Sequence, residues 1–276
     1  MYILFDIGGS NMRLSSSDGN TILQTKSIPA PQDFNEALTS FKTIVDELSN
    51  GQEIKAIAGG IAGPLDKNKT MLISSPHLPQ WVNKPLKDEL VKIFSCPIYL
   101  ENDCVMGALG ESSNGAGKGY SIVAYIAPGT GVGGARIVNG AIDENSLGFE
   151  PGHQIIVPDG KSCNCGGKGH LEAYIGGTYL EKNYGKKGED INETVIWDEV
   201  SKYLSIGLYN TLVHWSPDII VLGGSVTKSI PLDRVKAHLQ QIQTIFPNTP
   251  EVVKATLGSE AGLYGALAYI SKSKTV

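Results

Sequence analysis

A chain of 276 residues with 41% hydrophobic and 18% charged positions is long enough for two compact lobes, each with its own buried core. The formal net charge of -5, with lysines and arginines scattered, offers no basic stripe for nucleic acid, and no apolar run approaches the roughly 20 residues that cross a bilayer. Met1 is followed closely by Asp6 with no charged-then-apolar leader, and two of the four cysteines stand together in a glycine-rich stretch, so a cytoplasmic protein is expected and a disulfide framework is not.

Along the chain, Tyr2 to Phe5 reads as a buried strand bounded by Asp6 and Gly8. Asn35 to Leu48 places Leu38, Phe41, Ile44, Val45 and Leu48 at helical spacing, and Lys55 to Ile61 reads as the next strand. A loop from Pro64 to Trp81 precedes a helix over Lys84 to Phe94, then a short strand over Pro97 to Leu100 that ends at Glu101-Asn102-Asp103. After a helix over Cys104 to Glu111, the Gly115 to Gly119 segment marks a boundary, and Ile122 to Ile126 opens a second series. Gly148 to Gly177 shows no clear period and reads as an irregular inserted loop. Val195 to Val213 reads as a long helix, Ile219 to Leu222 as a buried strand stopped by Gly223-Gly224, and Glu260 to Ile270 as the last helix. Cys96 and Cys104 read as plain buried thiols. Strands interleaved with helices imply an α/β protein.

The two halves repeat one pattern. Each opens with an apolar strand, a glycine-rich turn and a second apolar stretch: Gly8-Gly9-Ser10 before Met12 to Leu14, and Gly129-Thr130-Gly131-Val132-Gly133-Gly134 before Ala135 to Val138. Glycine lets backbone N–H groups converge on an anion; a tight hairpin is the favoured account of either turn alone, and their pairing is what points to a ligand. Asp6, at the end of its strand, is placed to hold Mg²⁺ through water, while Ser10, Asn11, Arg13 and Thr130 supply donors for phosphate oxygens. The spacing matches neither the P-loop nor the Rossmann fingerprint. Asp103 stands where a strand becomes a helix; it reads either as an N-cap or as the base that takes a proton from an attacking hydroxyl, with Asn102 as a neutral hydrogen-bonding arm. Capping by Asp103 would not require Asn102.

His153, Cys163, Cys165 and His170 supply four nitrogen or sulfur ligands, with glycines at 166, 167 and 169 letting the chain wrap one ion. All four positions being filled by protein, the pattern predicts a structural zinc that stiffens the loop carrying Glu150 and Glu172, two acceptors for the hydroxyls of a polar substrate. Packing of a Cys-x-Cys pair is the competing reading. Gly223-Gly224, after a buried strand, suits close approach of an adenine ring or a plain strand-to-helix turn.

Assembled, these residues resemble the ROK family of sugar kinases and repressors. Asp6-Ile7-Gly8-Gly9-Ser10-Asn11 resembles its first phosphate motif, Ala62-Gly63-Pro64 its sugar-side loop, Glu101-Asn102-Asp103 its catalytic motif, and Gly129 to Gly134 its second phosphate motif. Glu150-Pro151-Gly152-His153 with Cys163 to Glu172 resembles its zinc and sugar signature. The resemblance implies an actin-like, ribonuclease-H-like duplicated two-lobe fold, with residues 1–110 plus 260–276 in one lobe and 111–259 in the other. It implies ATP as donor, contacted by Asp6, Gly8, Gly9, Ser10, Asn11, Arg13, Gly129, Thr130, Gly131, Gly133, Gly223 and Gly224, with Mg²⁺ near Asp6. It further implies a hexose or N-acetylhexosamine held by Ala62, Gly63, Asn102, Asp103, Glu150, His153 and Glu172, a glucokinase-like activity with Asp103 as base, and a homodimer. Three departures stand out: His170 replaces a usual cysteine, His77 a usual asparagine, and Phe149 and Pro151 smaller or more flexible residues around the glutamate. The alternative function is a sugar-responsive regulator of the same family, without a DNA-binding module ahead of the strand at Tyr2. An actin-like ATPase that only moves its lobes would give no reason for Glu150, His153 and Glu172.

Overall fold

The computed structural model describes residues 1–75, 77–143, 145 and 148–273. Pro76, within the segment singled out around His77, lies outside the described residues. The chain divides into two compact units, Met1–Gly115 with Ser259–Val276, and Ala116–Gly258.

Unit 1 is built on β1 (Tyr2–Ile7), β2 (Asn11–Ser17), β3 (Ile22–Pro29), β4 (Ala56–Ile61) and β5 (Ile98–Asn102), in the order β3-β2-β1-β4-β5. The first three form an antiparallel meander, and β4 and β5 add in parallel. Alternation along β1 decides what each face receives. Ile3, Phe5 and Ile7 join the core beneath α1 (Phe34–Ser49) and α2 (Leu86–Phe94). Leu4 faces the other way, into a cluster with Ala58 of β4, Met106 of α3 (Asp103–Asn114), and Leu263, Ala266, Leu267 and Ile270 of the chain's last helix, Ala261–Ser273. A fully buried leucine or isoleucine contributes about 1.5–3 kcal/mol, so each face holds its helices firmly. Asp6, two residues after Leu4, shares its side of the strand.

The period that predicts a helix over Asn35 to Leu48 is realised one residue wider at each end. Asp33 starts it, its carboxylate accepting from Asn35 and Glu36 N–H, and Asn50 ends it in the left-handed region at φ 45°. Missing from the sequence reading is β3, an edge strand whose mostly half-exposed or exposed side chains leave little apolar alternation to see.

Unit 2 repeats the sheet with β6 (Ile122–Pro128), β7 (Val132–Val138), β8 (Ala141–Ile142), β9 (Ile219–Leu222) and β10 (Glu251–Lys254), in the order β10-β9-β6-β7-β8. Read from β8, this is again an antiparallel meander followed by two parallel strands. Its core gathers Ala124, Ile126, Ile220 and Leu222 from the strands against α4 (Glu172–Ile175), α5 (Gly177–Tyr184), α6 (Thr194–Trp215) and α7 (Leu232–Ile242). The stretch Gly148 to Gly177 is less irregular than its sequence suggests: it contains a 3-10 turn at Pro151–His153 and the whole of α4, elements too short to display a helical period.

The last helix, α8 (Ala261–Ser273), lies against α3 in unit 1 with backbones nearly touching. A Cβ on Gly110 would strike the Ala261 carbonyl, and one on Gly265 the Met106 carbonyl, so glycine is required at both positions. Among the described residues no helix is long and apolar enough to cross a membrane.

Candidate functional site

The candidate residues fall into two clusters, one on each unit. In unit 1, both glycine-rich geometry and strand ends converge at the C-terminal edge of the sheet. Gly8 N–H donates to the Asn11 carbonyl at 2.9 Å, closing the β1–β2 connection as a tight hairpin, and Ser10 and Asn11 are exposed at its tip. The hairpin reading of this turn and its exposure of backbone to a ligand are therefore compatible. A Cβ on Gly9 would collide with His77, which lies against the turn.

Asp6 emerges beside this hairpin. Its Oδ2 accepts from Arg13 Nη1 at 3.2 Å, so this candidate phosphate donor is engaged by a carboxylate. A Cβ at Gly262 would come within 2.9 Å of Asp6 Cγ, which puts the carboxylate against the first turn of α8, the electropositive end of that helix. Burial first and the Asp103 charge second, with Arg13 opposing both, push the Asp6 carboxyl up to about 6. Asp103 occupies the first turn of α3, where burial also lifts its carboxyl above the ordinary range while hydrogen bonds from Cys104 oppose the shift. Two neighbouring carboxylates that discourage each other's ionisation suit a site that receives a cation or gives up a proton.

The cap of α3 is Asn102, not Asp103. Asn102 Oδ1 accepts from Cys104 and Val105 N–H at 2.9 and 3.3 Å, and its Nδ2 donates to the Gly63 carbonyl at 3.0 Å. Capping thus falls to Asn102 rather than to Asp103, the cap that the sequence offered; Asp103 Oδ1 accepts the adjacent Cys104 N–H at 2.9 Å. Gly63, at φ 129°, and Ala62, whose N–H donates to the Ile7 carbonyl at 2.8 Å, lie next to this cap. Cys96 is buried as expected, whereas Cys104, in the first turn of α3 next to Asp103, is only half-buried.

In unit 2 the second glycine turn is likewise a hairpin tip, between β6 and β7, with Gly129 N–H donating to the Gly131 carbonyl at 2.8 Å and Thr130 exposed. Gly223 and Gly224 follow β9. Their lack of side chains is explained by the protein itself: a Cβ on Gly223 would strike the Tyr125 hydroxyl, and one on Gly224, at φ 78°, the Pro128 carbonyl. Glu150 precedes the 3-10 turn at Pro151–His153, which packs on β7 so closely that Gly152 admits no Cβ against Val132. Although Glu150 keeps an exposed face, the surrounding protein pushes its carboxyl up, with His153 opposing and Glu172 adding to the shift. Glu172 Oε2 accepts from Val132 N–H at 2.9 Å.

The four proposed metal ligands come together, each offering an atom within 4.8 Å of the others. His153 Nδ1 and His170 Nδ1 are 3.3 Å apart, Cys165 Sγ and His170 Nδ1 3.3 Å, and Cys163 Sγ and His153 Nδ1 3.8 Å. A tetrahedral zinc bound to such ligands separates two nitrogens by about 3.3 Å and a nitrogen from a sulfur by about 3.5 Å, so the donor set fits that ion. Chain geometry explains the glycines: Cys163 N–H donates to Gly167 O at 2.8 Å to close the knuckle, Gly166 and Gly169 have φ 92° and 71°, and a Cβ on Gly167 would come within 2.5 Å of the His170 ring. Tyr179 supports the knuckle by accepting the Asn164 N–H at 2.6 Å, a role the sequence did not suggest. Gly262 was also missed; its signal is the Gly262–Gly265 pair one helical turn apart, which marks a close backbone approach. Neither of two surface grooves, of about 480 Å³ over Lys26–Ile28 and Thr39–Glu47 and about 630 Å³ over Lys87–Tyr99, is lined by a candidate residue.

With this geometry in hand, comparison with known proteins gives a consistent answer. The profile of the ROK family matches residues 2–273. The glucokinase of Thermotoga maritima is 27% identical over 97% of this chain and 96% of its own length. The xylose repressor of Bacillus spizizenii is 28% identical over 74% of this chain, which spans 58% of that protein. Among solved structures, a ROK family glucokinase from Streptomyces griseus in complex with glucose and AMPPNP is 26% identical, covers 97% of this chain and 98% of its own, and superposes with a TM-score of 0.80. The repeated sheets and this likeness identify the fold as the duplicated actin-like two-lobe fold.

Proposed function

Since the chain belongs to the ROK family, we propose that it is an ATP-dependent sugar kinase, transferring the terminal phosphoryl group of ATP to a hydroxyl of a hexose or N-acetylhexosamine, with a glucokinase-like preference. The observation that carries this reading is Asp103: a desolvated carboxylate in the first turn of α3, relieved of capping by Asn102 and neighboured by Asp6. Its raised proton affinity suits a base that receives the acceptor's proton as the new O–P bond forms and ADP leaves. The glucose- and AMPPNP-bound relative supports the pairing of sugar and nucleotide.

In this reading the hairpin tips at Gly8–Asn11 and Gly129–Gly133 offer backbone N–H groups to phosphate oxygens, and Arg13 and Thr130 add side-chain donors. Gly223 and Gly224 flank the adenine. Ala62, Gly63, Asn102, Glu150, His153 and Glu172 hold the sugar. Asp6 fits a hydrated Mg²⁺, because a cation would relieve the mutual repulsion of Asp6 and Asp103; bound Mg²⁺ supplies neutralisation of phosphate charge. Zinc would be held by His153, Cys163, Cys165 and His170, supplying rigidity, and ligation of His153 through Nδ1 leaves Nε2 for a sugar hydroxyl. The test is a panel of hexoses and N-acetylhexosamines with ATP, read by ADP release. Likeness to a repressor over most of this chain favours one second reading, a sugar-responsive regulator. Sugar binding without ADP release for any member of the panel would replace the kinase by that regulator.

A further inference from the structure

We infer that Glu172 is a positioning residue for the donor-phosphate turn, holding Gly129–Val132 in shape and tying it to the metal loop, apart from any contact it makes with sugar. The inference rests on the proposed reading that this turn receives phosphate. Glu172 Oε2 accepts the N–H of Val132, the residue that ends the turn and opens β7, at 2.9 Å. The carboxylate also fills the space beside the turn: a Cβ on Gly131 would come within 2.5 Å of Oε2, so a side chain at 131 would push the Glu172 carboxylate off the turn. The start of the next helix, α5, clamps the other side of the turn through its backbone. Gly177 N–H donates to the Gly129 carbonyl at 2.8 Å and Thr178 N–H to the Thr130 carbonyl at 3.1 Å, and a Cβ on Gly177 would crowd Gly129 O at 2.9 Å.

At its other end this clamp is anchored in the metal loop. Glu172 follows the ligand His170 by two residues, with fully buried Leu171 between them. Leu171 N–H donates to Gln154 O at 3.0 Å, Ala173 N–H donates to His170 O at 3.0 Å, and Glu172 Oε1 lies 4.0 Å from Cys163 Sγ. Fixing His170 and Cys163 on one ion therefore fixes the origin of α4 and the reach of the carboxylate. Geometry of the metal loop is passed to the donor turn through one side chain and two backbone bonds, all within unit 2.

Three variants of the zinc-loaded full chain test this: Glu172→Gln, which keeps an oxygen acceptor at the same reach, Glu172→Asp, which keeps the charge but falls short, and Glu172→Ala. Affinity for AMPPNP is measured by calorimetry without sugar, and amide exchange is followed over residues 129–133. Loss of the acceptor for a partly buried N–H predicts AMPPNP binding weaker by about tenfold or more in the Asp and Ala variants, with faster exchange, and near wild-type behaviour on both readouts for Gln, which keeps that acceptor. Wild-type AMPPNP affinity and exchange in the Asp variant would overturn the inference, as would equal loss in Gln and Asp. Because Asp retains the charge and changes the volume less than Ala does, it carries the test if Ala fails to fold. Absence of AMPPNP binding by the wild type would instead overturn the kinase reading, and the exchange comparison would still decide the role of Glu172.

Discussion

Replacing Asp6 with asparagine is expected to make the protein more stable and a poorer catalyst. In the fold, burial and the Asp103 charge carry the Asp6 carboxyl from 3.8 to about 6. The native state thus binds this proton more tightly than the unfolded chain does. The corresponding stability is complete below pH 3.8 and is lost as pH rises through about 6, so at pH 7.5 the ionised carboxylate costs the fold energy. At about 1.4 kcal/mol for each pH unit, the displacement amounts to about 3 kcal/mol, an upper bound because the asparagine amide is buried in the same place. Arg13 loses a charged partner, but its side chain is 27% exposed and an amide oxygen still accepts from it, so that loss is small. Urea unfolding of wild type and Asp6→Asn by circular dichroism, in buffer free of Mg²⁺ and nucleotide and without a chelator that would strip zinc, should show the variant ahead by up to about 3 kcal/mol at pH 7.5 and the two curves converging toward pH 4. A difference that does not change with pH, or a variant less stable at pH 7.5, would refute the account of Asp6 as a destabilised carboxylate.

Further outcomes follow from the same geometry. Asp103→Asn should lower turnover by about 10²-fold or more while AMPPNP affinity stays near wild type, since the amide keeps the shape of the site but takes no proton; an unchanged rate removes Asp103 as base. The initial rate at low sugar concentration should fall on the acid side, with Asp6 titrating near pH 6 and Asp103 also above its ordinary range, and should rise to a plateau above neutrality. A rate flat from pH 5 to 8 would count against both carboxylates. His170→Cys should retain about one zinc per chain by elemental analysis, and His170→Ala should hold less and melt earlier; a wild type without bound zinc would dismiss the metal site.

Legibility of the sequence varied with how local the determinants are. Strong apolar periods announced β1, α1, α6 and β9, and the glycine spacing announced both hairpin tips, because these signals lie within one element. Edge strand β3 and the short β8 and β10 carry little burial of their own, and their pairing depends on strands distant in sequence. The clustering of His153, Cys163, Cys165 and His170 was readable because all four fall in one loop whose glycines permit the wrap. Gly262 beside Asp6 and Glu172 on Val132 N–H were not readable in the same way, since each depends on a tertiary contact between elements that the sequence separates. Asp103 illustrates the limit well: a carboxylate at a strand-to-helix junction looks the same in sequence whether or not its neighbour takes over the cap.

The close crossing of α3 and α8 also bears on the order in which the molecule can be made. Unit 2 is one uninterrupted stretch, whereas unit 1 needs α8, which is synthesised after all of unit 2. Until α8 arrives, Leu4, Ala58 and Met106 lack the apolar partners Leu263, Ala266 and Leu267, and Asp6 lacks the helix end that faces it. A nascent chain would therefore carry an open apolar sheet face while unit 2 is being translated, a period in which a chaperone has something to bind. The glycines at 110 and 265 then set how late that face can close, because a side chain at either would keep the final helix from seating.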